Sequence, residues 1–439
     1  GSVRGGGGPR PSYAGFGSPL AGPPAVHRVR GIKEGHKLSL TFALPDLAPQ
    51  YLSRPDEYVS HLVGHEGRGS LLSALKARGL ATELYAGVSE SGQERSSAAW
   101  LFGVTATLTE AGLARWRDAA TLCFQYLAML RAEGPQEWVH REMRSVRETE
   151  WRFAEEEGGA EYVERLAGRM HALPPEHCVC GDEILCEWDP AGVAAVLELL
   201  VPRHARVDIV SSSFDAEALP ERERWMGVPY SREELPEEAV VAWEEASEGV
   251  PPDLSLPPRN PYLPSDFEVR APPGPGGPAA RPDPPRLLSE CPMLRVWHRL
   301  DDRFDTPRAL GYVSLFMPEA DLGPAENAHG HLVAKVLEDA LLEDSYLADV
   351  AGLQLSVAWD LHRLEVRADG FSDKLPLLLA KGVRALFELE VKEERFQLAR
   401  EELARTYANA HIKPTRHATA SRRHALRERA WHASDCLAA

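Results

Sequence analysis

Cysteine is scarce in this sequence: six among 439 residues, with no paired C-x-x-C knuckles. That usage excludes a disulfide framework and a zinc-knuckle module, and makes a reducing, cytoplasmic location the expectation. Positive charge is also in deficit, 49 Lys and Arg against 66 Asp and Glu, for a net −17. A surplus of this sign argues against nucleic acid or an anionic membrane as the main partner. No apolar run reaches the roughly 18–20 residues of a membrane span. No secretory leader is visible. The G-x-S-x-G elbow of serine hydrolases is missing, and Cys123 lies on the apolar face of a helical pattern, where packing accounts for it.

The zinc-hydrolase signatures H-E-x-x-H and H-x-x-E-H are absent too. The nearest approach is "HLVGHEGRGS" (His61–Ser70). Its histidines, His61 and His65, have the i, i+4 spacing that brings two imidazoles to one ion on a helix. The general base of such a centre lies between the histidines. Here Gly64 precedes His65 and the carboxylate, Glu66, falls outside the pair. The stretch therefore reads as a helix end running into a Gly67/Gly69 turn. A second group, His177, Cys178, Cys180 and Cys186, is metal-like in composition but not in spacing. Neither a catalytic residue nor a metal ligand is assigned to this chain.

What is present is a regular alternation of strand and helix patterns. Residues 1–25 are rich in Gly and Pro and read as a disordered tail. "HKLSLTFALPD" has the period-two pattern of a strand. A helix carrying His61 follows, then the glycine turn, then a helix with Leu71, Leu72 and Leu75 on one face and Gly79 as its stop. Strands are predicted near Thr82–Val88 and Ala98–Thr107. Long helices are predicted over about 110–133 and, started by Pro135, to about Glu157. After a loop come a helix capped by Asp189 and a closing strand, Ala205–Ser213. Residues 249–285 are dense in proline and read as an extended connector.

Beyond the connector the order repeats: the strand Ala309–Glu319, one helix through "HGHLVAKVLEDALLEDSYLADVAG", two strands and two long helices. "HLV" recurs at His61 and His331, and Gly79 and Gly352 close the helices that follow, a displacement of about 270 residues at both landmarks. The pattern predicts an α+β chain of two homologous units, residues 26–248 and 286–439, each a sheet with helices on one face. The second unit lacks a counterpart of the first one's closing helix and strand, so it is expected to be incomplete, its fold continued by further chain or by a partner.

Together, "HLVGHEGRGSLLSALKARG", "LRAEGPQEWVHREM", "NPYLPSDFEV", "VWHRLDDRFDTPRA" and "ADVAGLQLSV" resemble the middle part of the insulin-degrading enzyme and nardilysin family, the pitrilysin-type metallopeptidases with an inverted zinc motif. The resemblance spans most of residues 26–431. It implies largely antiparallel, mixed sheets of the mitochondrial processing peptidase type. It also implies that residues 26–248 are the family's second domain, 249–285 its hinge and 286–439 an incomplete third. Zinc and the general base would belong to a first domain outside this stretch, so no cofactor is expected here and zinc is expected in the full-length enzyme.

The resemblance further implies a peptide-binding exosite formed by His61, His65 and Glu66 of the helix and turn with Leu84, Ala86, Gly87 and Val88 of a strand edge. A free edge can pair with an extended peptide, and a carboxylate can accept from an α-ammonium. Ala86 stands where the family has the first glycine of a pair and Val88 where it has glutamine, which adds a methyl and removes a polar contact. The expected partners are peptide substrates and the remaining catalytic and C-terminal domains or a complementary subunit. The expected role is the non-catalytic wall, hinge and exosite of a zinc metalloendopeptidase. The competing reading is an inactive stand-alone homologue that binds peptides or pairs with an active partner.

Overall fold

The computed structural model describes residues 12–89, 94–181, 183–269, 284–300, 304–317, 322–360, 362–427 and 430–439. Residues 1–11 of the expected tail, and 270–283 of the expected connector, lie outside the described residues.

Alternating apolar residues build the first sheet. In β2 (His36–Leu44), Leu38, Leu40, Phe42 and Leu44 are buried, and in β4 (Trp100–Leu108), Phe102, Val104, Ala106 and Leu108 are. A pleated strand sends these to one face, where α1 (Pro55–Val63), α2 (Leu71–Ala77) and α4 (Trp116–Glu133) cover them. The opposite face is polar, with Ser39 and Thr105 joined hydroxyl to hydroxyl at 2.9 Å.

The remaining strands are β1 (Ala25–Arg30), β3 (Ala81–Val88), β5 (Arg206–Ser211), β6 (Glu221–Arg222) and β7 (Pro229–Glu234), in the order β3-β4-β2-β5-β1-β7-β6. β5 is therefore not the closing strand its position in the chain implied. It lies inside the sheet, parallel to β1 and antiparallel to β2. The chain then continues through β7 and α8 (Glu237–Ser247). Two helix expectations also change. The predicted 110–133 helix breaks at Arg115 into α3 (Glu110–Ala114) and α4. The next, α5 (Glu137–Arg152), ends five residues early, and the predicted loop after it contains α6 (Gly159–Ala172). α6 keeps Val163, Leu166 and Met170 at three- and four-residue spacing, yet none of its residues is buried. Asp189 caps α7 (Pro190–Leu199) as expected, accepting from the Gly192 amide.

After the hairpin β8 (Arg286–Cys291) and β9 (Leu294–His298), the second unit repeats the first in miniature. Its strands β10 (Arg308–Phe316), β11 (Gln354–Asp360) and β12 (Arg363–Phe371) are antiparallel in the order β10-β12-β11, matching β2-β4-β3. The helix predicted before Gly352 is two helices, α9 (Pro324–Ala340) and α10 (Leu342–Val350), the counterparts of α1 and α2. Both copies close identically. Gly79 and Gly352 adopt φ of +65° and +75°, and the next residue's amide reaches back to Leu75 and Ala348 respectively, at 2.9 Å in each case. Four helices follow β12: α11 (Leu375–Glu388), α12 (Glu393–Ala408), α13 (Pro414–Leu426) and α14 (Ala433–Ala438). Among the described residues no further strand does.

The described part of the connector is a docked strap. On the first unit, Asp253 takes both Arg78 guanidinium nitrogens at 2.7 and 3.1 Å, and the Ser255 amide donates to the Gly69 carbonyl. On the second, the Asn260 side chain donates to the Leu347 carbonyl and the buried Tyr262 hydroxyl to Asp344, each at 2.6 Å. Asp373 accepts the Ser265 and Asp266 amides, which hold its carboxyl low, at about 2. Phe153 of α5, Phe267 of the strap and Phe371 of β12 form a three-ring cluster with centroids 5.2–5.6 Å apart. Truncating Tyr262 to alanine should lower stability by about 3–5 kcal/mol, the cost of emptying a buried aromatic site, read as an earlier urea midpoint at unchanged slope.

Candidate functional site

The glycine turn sets the local geometry. A side chain at Gly67 would strike the His65 ring at 2.6 Å, and Gly69 adopts φ +82° against Ser255 of the strap. Both positions need glycine, which lets the chain fold tightly after α1. His65 Nδ1 accepts the Gly67 amide at 2.9 Å, and its ring packs edge-on against Tyr346 of α10 with centroids 4.6 Å apart. His61 and His65 face a small space of about 20 Å³ closed by α5, Pro257 and Pro258 of the strap, and α10. Burial pushes the His61 imidazole down to about 4 and that of His65 to about 3, where neighbouring His61 adds to the effect. Both are neutral at pH 7.

This pair does not fit a metal. The rings lie at 84° with centroids 6.2 Å apart, His65 Nδ1 is taken by a backbone amide, and Glu66 points to a different cavity. Cys178 is buried and donates to backbone carbonyls, while His177 bonds Tyr51. Among the described residues no group of three or more His, Cys, Asp or Glu is placed to hold an ion. Among them, too, no helix is long and apolar enough to cross a membrane.

A cavity of about 600 Å³ lies between the two units. Among the described residues β3 is an edge strand, paired with β4 alone. Thr82, Glu83, Leu84 and Tyr85 all line the cavity. Successive side chains point to opposite faces, so four in a row reach one space only where it wraps the strand's edge. Glu66 and Lys76 join them from the first unit, and α9, α10, β11 and α12 supply the far wall. Lys76 pairs with Asp339 at 3.5 Å and Lys335 with Glu402 at 2.5 Å. Burial raises the Glu66 carboxyl; Glu83 and Asp349 add to this and Lys76 opposes it.

The structure thus divides the predicted residues. Glu66 and Leu84 meet at this cavity, whereas His61 and His65 face the closed space behind it. Ala86, Gly87 and Val88 are covered: Ser60 of α1 donates to the Ala86 carbonyl at 2.7 Å, Gly87 (φ +130°) abuts Ser60, and Arg95 reaches the Val88 carbonyl. The Ala86 methyl faces Gly64 of the turn after α1. The open part of the edge is 82–85. Glu83 and Tyr85 were findable as the exposed positions of an alternating strand. Lys335, Glu338 and Glu402 were not, since nothing in the spacing links them to β3.

A family model described as the middle or third domain of peptidase M16 matches residues 151–439, and one described as the peptidase M16 inactive domain matches residues 4–146. The chain belongs to the M16 peptidase family and carries its inactive and middle domains. It is similar to a nardilysin-like protein of Arabidopsis thaliana, 35% identical over 412 residues, covering 94% of this chain and 40% of that one. It is 33% identical over 407 residues to the insulin-degrading enzyme of Homo sapiens, covering 92% of this chain and 39% of that one. The crystal structure of pitrilysin shares the fold, with a TM-score of 0.67 at 23% identity, over 88% of this chain and 40% of that one. The chain thus spans about two fifths of the relatives it matches.

The depressed histidines give a pH signature. The unfolded chain takes up protons on His61 and His65 below about pH 6.5, while the folded chain resists until about 4 and about 3. Their contribution is complete above pH 6.5 and is lost as pH falls through that window. Asp56, raised by burial and then by Glu57 to about 6, acts in the opposite sense between about pH 4 and 6. The double variant His61→Gln/His65→Gln should therefore lose less stability than the parent between pH 7 and 4, measured by urea titration at each pH.

Proposed function

We propose that this chain is a non-catalytic part of a zinc-dependent M16 endopeptidase, forming chamber wall and hinge and anchoring peptide substrates along β3. The single observation that carries this reading is the unpaired edge at 82–85 opening into a cavity of about 600 Å³. Backbone pairing is indifferent to sequence, which suits an enzyme that takes varied peptides. Glu66, at the cavity rim, is the acceptor for a peptide's free α-ammonium.

Hydrolysis itself is assigned to residues outside this chain. His61 and His65 act here as packing between α1, the strap and α10. Zinc and its general base would reside in the remainder of the enzyme, and the peptide's anchored end would lie on this chain while its scissile bond lies elsewhere.

The test is binding and cleavage on one sample. Fluorescence anisotropy should show a labelled, strand-forming peptide of eight to ten residues binding this chain. N-methylation of alternate amides, which removes the donors of one peptide edge, should weaken binding at least about tenfold when the edge facing β3 is the one blocked. Equal binding by both N-methylated isomers and the parent peptide would overturn edge pairing. Chelator-sensitive cleavage by this chain alone, with zinc supplied, would overturn the non-catalytic assignment.

A further inference from the structure

We infer that the first unit holds a site for a small tetrahedral oxyanion, of the phosphate or sulfate type, on the side of its sheet away from β3, where His27, Arg206 and Arg232 meet beside residues 19–25. The site is separate from the β3 edge and does not rest on edge pairing. A pocket of about 160 Å³ lies there. Among the described residues, its charged and titratable lining groups are His27, Arg203, His204, Arg206 and Arg232, and no carboxylate lines it. In a chain with 66 acidic against 49 basic residues, a wall of this one sign runs against the composition.

Sheet register builds the arrangement. β1 lies between β5 and β7, so His27 stands directly between Asp208 and Arg232. Residues two apart on a strand share a face, which brings Arg206 to the side of Asp208. Arg203 and His204 arrive from the single helical turn Pro202–His204 that precedes β5. The neighbouring carboxylates leave donors over. Arg203 is spent on Glu237 and Glu244. Arg206 gives Nε and Nη2 to Asp208 at 2.8–3.2 Å, which leaves Nη1. Glu234 stands 3.7 Å from Arg232, beyond hydrogen-bond distance. Asp208 is also 3.7 Å from His27 Nδ1, a buried atom with no hydrogen-bond partner among the described residues. Burial and then Arg206 lower the His27 imidazole, Arg232 adds to this, and Asp208 and the Val207 backbone oppose it. An oxyanion seated here accepts from Arg232 and from Arg206 Nη1, and its charge favours a proton on His27. The volume is below the roughly 300–1,000 Å³ of sites for drug-sized ligands. It suits the anion alone or the terminal phosphate of a longer molecule.

The experiment titrates inorganic phosphate into the full 439-residue chain by isothermal calorimetry, at neutral pH and low ionic strength, where charge is least screened. The parent should bind phosphate with a dissociation constant of about 1 mM or tighter. Arg232→Gln should weaken binding at least about tenfold and His27→Gln at least about threefold. Arg28→Gln is the control. It removes the same charge one residue from His27, on the other face of β1, and should change the affinity by less than about twofold. Thermal melts establish that each variant folds. Phenyl phosphate separates the two sources of the ligand: its displacement of phosphate assigns the site to the end of a longer molecule, and its failure to displace assigns the site to the free anion. No binding up to about 10 mM phosphate would overturn the inference. Equal weakening by Arg232→Gln and Arg28→Gln would do so too, since overall charge would then account for the effect, as would full affinity in both Arg232→Gln and His27→Gln.

Discussion

The docking of the strap is the constraint on which the rest of the structure depends. Residues 253–268 are bound at both ends to different units: Arg78 and Gly69 hold one end, and Leu347, Asp344 and Asp373 the other. Prolines limit the conformations of the free segment, so fewer are lost when it docks. The hydrogen bonds then go to backbone groups and carboxylates fixed by the ends of α2, α10 and α11. The phenylalanine cluster adds a contact shared by α5, strap and β12, flanked by the Arg152 and Arg308 guanidiniums. This bracing places α10 against His65 and α9 across from β3. The cavity is a consequence of it.

Within that frame the helix-turn after α1 separates two spaces. On one side the histidines are sealed by apolar residues and held neutral. On the other, Glu66 is exposed to the cavity beside an open strand edge. One turn of tight backbone, possible because positions 67 and 69 are glycine, sends residues 65 and 66 in different directions. The same turn abuts Ser255 of the strap, so the separation and the unit packing reinforce one another.

Much of this was legible beforehand. Alternating Leu38, Leu40 and Phe42 marked β2 and the face it buries; Asp189 and Pro190 marked the start of α7; Gly79 and Gly352 marked equivalent helix ends. The M16 resemblance read from five short segments agrees with the matching family models and relatives. The failures share a cause. α6 has apolar residues at helical spacing but buries none of them, β5 enters the sheet between strands remote in sequence, and the break between α9 and α10 falls within continuous helix-forming residues. Local pattern reports what a segment prefers and which face it hides, not which neighbour it meets.

The site shows the same division. The amino-acid sequence by itself determined that no inverted zinc motif is present, that two similar units flank a proline-rich connector, and that a strand near residue 84 follows a helix bearing His61. These are matters of residue type, spacing and period. Only the tertiary structure decided that Ala86, Gly87 and Val88 are covered while 82–85 are open, that the histidines face away from Glu66, and that Lys335, Glu338 and Glu402 stand opposite β3. The contacts across the cavity join residues roughly 250 to 320 positions apart. They arise from where the strap anchors one unit against the other, and no local periodicity encodes that placement.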